Sequence, residues 1–151
     1  MVPLDWSDQY STGVGFIDDS HQRIFQLINA LEQPGRRGDD PGPEASLAVF
    51  LDYAGRHFEE EEELMRYLEY PGYEAHRMDH GRAVAWVRVL KAQSDEGMLE
   101  PTAIAAFAGE WVREHIQNQD LPFIQWIREP ASVKALERLV GRKRPKGPAG
   151  E

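Results

Sequence analysis

Apolar residues recur along this chain at intervals of three and four, which is the spacing of one face of an α-helix. Four stretches show the pattern, at about 18–32, 44–70, 73–96 and from 101 onward. The first stretch carries one continuous stripe, formed by Ile17, His21, Ile24, Phe25, Ile28 and Leu31. Because no stretch alternates strictly between apolar and polar residues, the pattern predicts an all-α protein.

Segments rich in proline and glycine separate the four stretches, at 33–43, 71–72, 95–101 and 129–130. Short connections place neighbouring helices antiparallel, so we expect an up-down-up-down four-helix bundle over residues 1–130. Residues 131–151 then form a short helix, over about 131–140, and a basic tail that is too polar to bury a core and is expected to be flexible. An alternative role for its four cations is to attract an acidic protein partner.

Composition narrows the possible functions. A chain of 151 residues suits one domain, and its formal charge of -9 disfavours nucleic acid as a partner. The absence of cysteine excludes thiolate metal ligands and disulfide bonds. The first ten residues lack a signal-peptide pattern and no apolar run could span a bilayer, so we expect a cytoplasmic protein with no membrane partner.

The chain contains five histidines, and each falls on the inward stripe of a predicted helix: His21, His57, His76, His80 and His115. A single inward histidine is usually a hydrogen-bonded core residue. Five on inward stripes are harder to explain by packing, because each buried imidazole costs free energy unless it has a polar partner. A metal ion supplies such a partner to several imidazoles at once.

Local spacing supports convergence of these side chains. His76 and His80 lie one turn apart on one helix face, as do His57 and Glu61. Glu61 belongs to a run of five glutamates at 59–63, which is usually just a charged surface. Helix geometry places Glu61 nearest to the face of His57, with Glu60 as the rival candidate and the other three glutamates pointing outward.

Asp120 follows His115 at five residues, a spacing that puts two side chains on different faces of a regular helix. Pro122 removes a backbone donor and clashes with the carbonyl of Asn118. We therefore predict a kink or bulge between 118 and 122 that turns Asp120 inward.

These motifs resemble the hemerythrin and bacteriohemerythrin family over about the first 125 residues. The matching segments are, in order, VGFIDDSH, HFEEEEELM, PGYEAHRMDH and WVREHIQNQD. All seven metal-ligand positions of the family pattern carry the expected residue type at matching local spacing. The chain departs from the pattern in the connection at 33–43, at Pro122 and in the tail, which leaves oligomerisation and partners open.

The resemblance implies a cofactor of two iron ions joined by an oxo or hydroxo bridge. One iron would be held by His76, His80 and His115, and the other by His21 and His57. Glu61 and Asp120 would bridge the two ions. The iron with two histidines then keeps an open position, and the family function is reversible binding of dioxygen for carriage, storage or delivery, without enzymatic turnover.

The resemblance also supplies candidates for the wall of a dry oxygen pocket: Phe58, Trp111, Ile116 and Phe123. The simpler interpretation is that these residues are ordinary core. Three other functions remain open at this point, namely an oxygen, redox or nitric oxide sensor, an oxidase or peroxidase, and a zinc protein. Zinc is the least suitable, because it usually takes four ligands in a tetrahedral arrangement.

Overall fold

The computed structural model describes residues 4–32 and 43–134. After a 3-10 turn at Asp8–Tyr10, the helices are α1 (Gly15–Glu32), α2 (Pro43–Tyr67), α3 (Tyr73–Asp95), α4 (Pro101–His115), a π-helix (Ile116–Asp120) and α5 (Leu121–Arg128). The described residues contain no strand. None of the helices in these ranges is both long enough and apolar enough to cross a membrane.

The helices form the predicted antiparallel bundle. Helix α1 packs against α2 and α4, and α3 packs against the same two helices, so neighbours in sequence are neighbours in space. The π-helix joins α4 to α5 as one continuous rod. A short helical extension follows at residues 130–134. The remainder of the predicted final helix, the basic tail and the connection at 33–42 lie outside the described residues.

The apolar stripes bury two clusters of side chains at different levels of the bundle. The larger cluster includes Ile24, Ile28 and Phe50, while the smaller includes Met65 and Phe123. On α1, His21 lies between Ile17 of the smaller cluster and Ile24 of the larger, and on α2, Glu61 lies between Phe58 of the larger cluster and Met65 of the smaller. The bundle therefore encloses a polar layer between two apolar layers, and this arrangement shields that layer from water.

Helix α1 begins three residues earlier than the sequence pattern predicts, and Asp18 explains the difference. Its carboxylate accepts hydrogen bonds from the hydroxyls of Ser11 and Thr12, both at 2.7 Å, and from the backbone N–H groups of Thr12 and Gly13. Arg128 donates to the Thr12 carbonyl at 2.9 Å, which ties α5 to the same turn. Gly13 has a φ of 71°, in the left-handed region that glycine tolerates best.

These contacts make the stability of the protein depend on the ionised form of Asp18. Partial burial acts to raise the pKa of Asp18, but the hydrogen bonds from Thr12, Ser11 and Gly13 outweigh it and hold that pKa below 3.8. A lowered folded-state pKa contributes stability that is fully present above the unfolded value and is lost as the pH falls through the folded one.

We expect Asp18→Asn to lower the melting temperature at neutral pH and to flatten the acid limb of the stability curve below about pH 4. Asp19→Asn is the matched control, because Asp19 is adjacent and exposed. Thermal unfolding followed by circular dichroism between pH 2.5 and 7 measures both effects. Equal melting curves for the two variants would show that the Asp18 contacts contribute nothing.

Candidate metal centre

Seven polar side chains meet in the layer between the two apolar clusters. Each is at most 6% exposed, and together they are His21, His57, Glu61, His76, His80, His115 and Asp120. Every histidine of the chain is among them. The rival carboxylate, Glu60, is exposed, so helix α2 presents Glu61 and not Glu60 to the interior.

Three of the histidines surround one point. The Nε2 atom of His115 lies 3.1 Å from that of His76 and 3.0 Å from that of His80. Three ring nitrogens this close repel one another through their lone pairs unless a proton or a cation lies between them. Glu61 and Asp120 complete this group, whose five candidate ligand atoms all lie within 4.8 Å of one another.

A second group consists of His21, His57 and Glu61, again with candidate ligand atoms within 4.8 Å of one another. Glu61 belongs to both groups, because its Oε2 atom lies 3.9 Å from Nε2 of His57 and 3.5 Å from Nε2 of His80. Asp120 also faces both, with Oδ2 3.1 Å from His21 and Oδ1 3.1 Å from His115. Two carboxylates therefore lie between a three-histidine group and a two-histidine group.

The π-helix brings Asp120 into the centre. Its bonds run from residue i to residue i+5, as shown by the Leu121 N–H donating to the Ile116 carbonyl. A residue five positions on then comes round to nearly the same face, as a residue four positions on does in an α-helix. Asp120 is fully buried as a result. The predicted bulge before Pro122 is confirmed, and it begins two residues earlier than expected.

Several atoms of the layer have no hydrogen-bond partner among the described residues. They include both oxygens of Glu61, both oxygens of Asp120 and both ring nitrogens of His21. Two carboxylates buried this close together are costly unless cationic groups lie beside them, and here only imidazole nitrogens do. The donor set of imidazole nitrogen and carboxylate oxygen therefore fits metal cations, which would supply the missing partners.

The buried carboxylates and imidazoles of this layer shift one another's pKa values. Burial and the Asp120 anion act to raise the pKa of Glu61, but the nearby imidazoles of His76 and His80 lower it to about 2. Burial likewise opposes ionisation of Asp120, yet His115 holds its pKa well below 3.8. Both carboxylates are thus anions at neutral pH, which is the state that a metal ligand requires.

The pKa values of two histidines of the layer shift in opposite directions. Burial lowers the pKa of His57 to about 4, against a smaller contrary effect of Glu61. Burial also acts to lower the pKa of His115, but the Asp120 carboxylate outweighs it, with help from Asp79, and raises that pKa to about 9. Without metal, the layer therefore keeps a proton in the three-histidine group and a neutral imidazole at His57.

Three residues next to the centre orient its histidines. The Nδ1 atom of His57 lies 3.0 Å from the Ser20 hydroxyl, that of His80 lies 2.9 Å from Glu62, and that of His115 lies 2.8 Å from Asp79. A carboxylate can only accept, so Nδ1 of His80 and His115 carries a proton and Nε2 is free to bind a cation in the neutral tautomer. Such partners fix ring orientation and strengthen the ligand.

This arrangement corrects one expectation and adds three residues that the pattern did not reveal. Glu62 does not simply point outward: it is 24% exposed and contacts the neighbouring helix. Each of the three residues is adjacent in sequence to a centre residue, yet serves a histidine of the next helix: Ser20 beside His21, Glu62 beside Glu61 and Asp79 beside His80.

Two of the four residues proposed for the wall of an oxygen pocket contact histidines of the centre. Phe58 stacks on His80 with ring centroids 4.1 Å apart, and Trp111 stacks on His115 at 4.4 Å. Both line an apolar cavity of about 360 Å³ that reaches His57 and His115. Ile116 and Phe123 are fully buried but do not line this cavity, and Phe123 belongs to the smaller apolar cluster.

Fold and centre together define an all-helical bundle whose interior carries candidate ligands for metal cations. The family model "Hemerythrin HHE cation binding domain" matches residues 12–127. The chain therefore belongs to the hemerythrin family.

Known proteins of the family resemble this chain over most of its length. A bacteriohemerythrin of Pseudomonas paraeruginosa is 26% identical over 93% of this chain and 92% of its own. A bacteriohemerythrin of Methylococcus capsulatus is 29% identical over 80% and 93%. The myohemerythrin of Sipunculus nudus is 26% identical over 80% and 91%. The solved structure of a wild-type hemerythrin superposes with a TM-score of 0.70 at 28% identity, covering 80% of this chain and 95% of its own.

Proposed function

We propose that this protein binds dioxygen reversibly at a non-haem centre of two iron ions. His76, His80 and His115 would hold one ion, and His21 and His57 the other. Glu61 and Asp120 would bridge them. The observation that carries the proposal is the placement of two buried carboxylates, in contact with imidazole nitrogens alone, between a group of three histidines and a group of two.

The donor set favours a pair of iron ions over zinc. Five imidazoles and two bridging carboxylates exceed what two tetrahedral zinc ions would accept, but suit two ions of larger coordination number. With Glu61 and Asp120 shared, the two-histidine group would supply one histidine fewer than the other group. Iron bound there would supply the capacity to bind dioxygen.

The residues around the centre favour reversible binding of dioxygen over a catalysed oxidation. Apolar side chains cover the centre. The lining of the cavity that reaches His57 and His115 includes Phe58, Trp111 and Val112. Such a wall admits an apolar diatomic molecule and keeps water and protons away. The centre also has five neutral nitrogen ligands, whereas related bundles built for oxidation chemistry are rich in carboxylates. We therefore propose a binding protein and not an enzyme.

The alternative is an oxygen, redox or nitric oxide sensor that uses the same centre and signals through the chain ends or the basic tail, and that tail lies outside the described residues. One experiment separates carrier from sensor and enzyme. The metal-free protein is loaded with iron(II) under argon, exposed to air and then flushed with argon, while the visible spectrum is recorded. A band that appears with air and disappears with argon over several cycles supports reversible binding. A single change to a stable ferric spectrum would contradict it.

Asp79 should strengthen iron binding by the three-histidine group, because it orients His115. We expect Asp79→Asn to weaken iron binding by roughly 10- to 100-fold, because an amide does not fix the imidazole tautomer as a carboxylate does. Asp95→Asn is the control, since Asp95 lies on the same helix and forms only an exposed ion pair with Lys91. Competition with a chromophoric chelator measures both affinities. Equal affinities would show that the Asp79 contact is structural only.

A further inference from the structure

The cavity beside the centre is much larger than dioxygen requires. Its volume of about 360 Å³ exceeds twice that of a ~150 Å³ apolar cavity that accommodates benzene, and falls in the range of organic ligand sites. It follows the bundle interior from His57 back to Phe50 on α2. The seven helical steps from Phe50 to His57 correspond to about 10 Å, so the cavity extends along the bundle axis.

The wall of the cavity is apolar along most of this length. Each of the four main helices contributes to it, for example Ile28, Phe50, Val87 and Phe107. Polar lining residues occur at its two ends, where His21, His57, His115 and Asp120 lie at the centre and Asp52 and Arg88 at the surface, and the stretch between them offers water few hydrogen-bond partners. Burying an apolar chain in this stretch removes that chain from water, which is favourable in proportion to the apolar area buried.

The mouth of the cavity lies between α2 and α3 and carries a cation. Asp52 and Arg88 are the exposed members of the lining, one from each helix. Asp52 is paired with Arg56 one turn along α2. Within the ranges that the structure describes, Arg88 has no ion pair with a carboxylate. The mouth therefore has one uncompensated positive charge at the end of an apolar channel.

We propose that this cavity is a binding site for an amphipathic carboxylate, with a medium-length aliphatic chain inside the bundle and its carboxylate at Arg88. A guanidinium is well suited to this contact because it can donate two parallel hydrogen bonds to a carboxylate. The site uses no metal ligand as an anchor, so it goes beyond the proposed function and does not depend on it. A chain longer than the cavity would leave its end in water.

The proposal is tested with hexanoate, octanoate and decanoate, titrated into the iron-loaded protein by calorimetry below their micelle concentrations. We expect one molecule per chain and an affinity that rises about fourfold for each added methylene, as burial of an alkyl chain predicts. Failure to bind any of the three, or equal affinities for all of them, would overturn the proposal. Iron content and oxygenation of the same sample are recorded separately, so a failure here is distinct from a failure of the metal centre.

Two substitutions identify the site. Arg88→Met should weaken octanoate binding roughly tenfold, leave 1-octanol binding within about twofold, and be rescued in part by Arg88→Lys. Arg23→Met is the control, because Arg23 is an exposed cation of α1 outside the cavity lining. Val87→Phe, or Val84→Phe if the first fails to fold, should abolish binding of both ligands by filling the cavity. Unchanged octanoate binding in a folded filled variant would place the ligand elsewhere and overturn the proposal.

Discussion

Substitution of Glu61 by glutamine is expected to remove at least one of two iron ions per chain, whereas substitution of Glu60 should remove none. The two residues are neighbours of the same type, but Glu61 is 3% exposed and Glu60 is on the surface. Glu61 alone of the two approaches both histidine groups. An amide carries no charge and bridges cations poorly, so the loss of affinity should exceed the 10- to 100-fold typical of an outer hydrogen-bond partner.

Elemental analysis of Glu61→Gln and Glu60→Gln, each purified after identical iron loading, measures this difference. The expected result is two iron atoms per chain in Glu60→Gln and one or none in Glu61→Gln. Circular dichroism of both variants checks that the bundle has formed. Two iron atoms in a folded Glu61→Gln would mean that this carboxylate is not a bridge.

Removal of iron is expected to destabilise the protein and to make its stability strongly dependent on pH. A ligand present at a thousandfold excess over its dissociation constant stabilises the native state by about 4 kcal/mol. For a domain of about 150 residues this corresponds to roughly 10 °C in melting temperature.

The direction in which stability changes with pH follows from the pKa values of two histidines. The pKa of His57 is lowered to about 4, so its contribution is fully present above its ordinary pKa of 6.5 and is lost as the pH falls toward 4. The pKa of His115 is raised to about 9, so its contribution is present below 6.5 and is lost as the pH rises toward 9. Each change is on the order of a few kcal/mol over its window. The iron-free protein should therefore be most stable near pH 6.5.

Melting temperatures of iron-free and iron-loaded protein between pH 4 and 9 measure these changes. The iron-loaded protein should show a much flatter curve between pH 6.5 and 9, because the metal occupies the nitrogen that would otherwise hold the His115 proton. The gap between the two forms should therefore widen as the pH rises through this range. Parallel curves would contradict the assignment of His115 as a ligand.

The helices and the inward residues were predictable because one periodic pattern determines both. An inward stripe that includes His21 between Ile17 and Ile24 specifies which face of α1 is buried before any packing is known. The bulge was predictable for a different reason. Pro122 cannot continue a regular hydrogen-bond ladder, and the five-residue spacing of His115 and Asp120 needs a wider turn to place both inside.

The partners of the histidines were not predictable by the same reasoning, because they lie off the inward stripe. Ser20 and Asp79 point about 100° away from the histidines that follow them, and each reaches a histidine of an adjacent helix. Their identity depends on how two helices are rotated against each other, which periodicity within one helix does not contain. The cavity at Phe50 and Val87 was hidden for a similar reason, since apolar positions do not reveal how completely they fill the space between them.

The most direct test is a crystal structure of the iron-loaded protein with anomalous diffraction recorded on both sides of the iron absorption edge. The account predicts two iron peaks per chain, one bordered by His76, His80 and His115 and the other by His21 and His57. Oxygens of Glu61 and Asp120 should be within bonding distance of both. A single peak, or peaks outside this layer, would contradict the account.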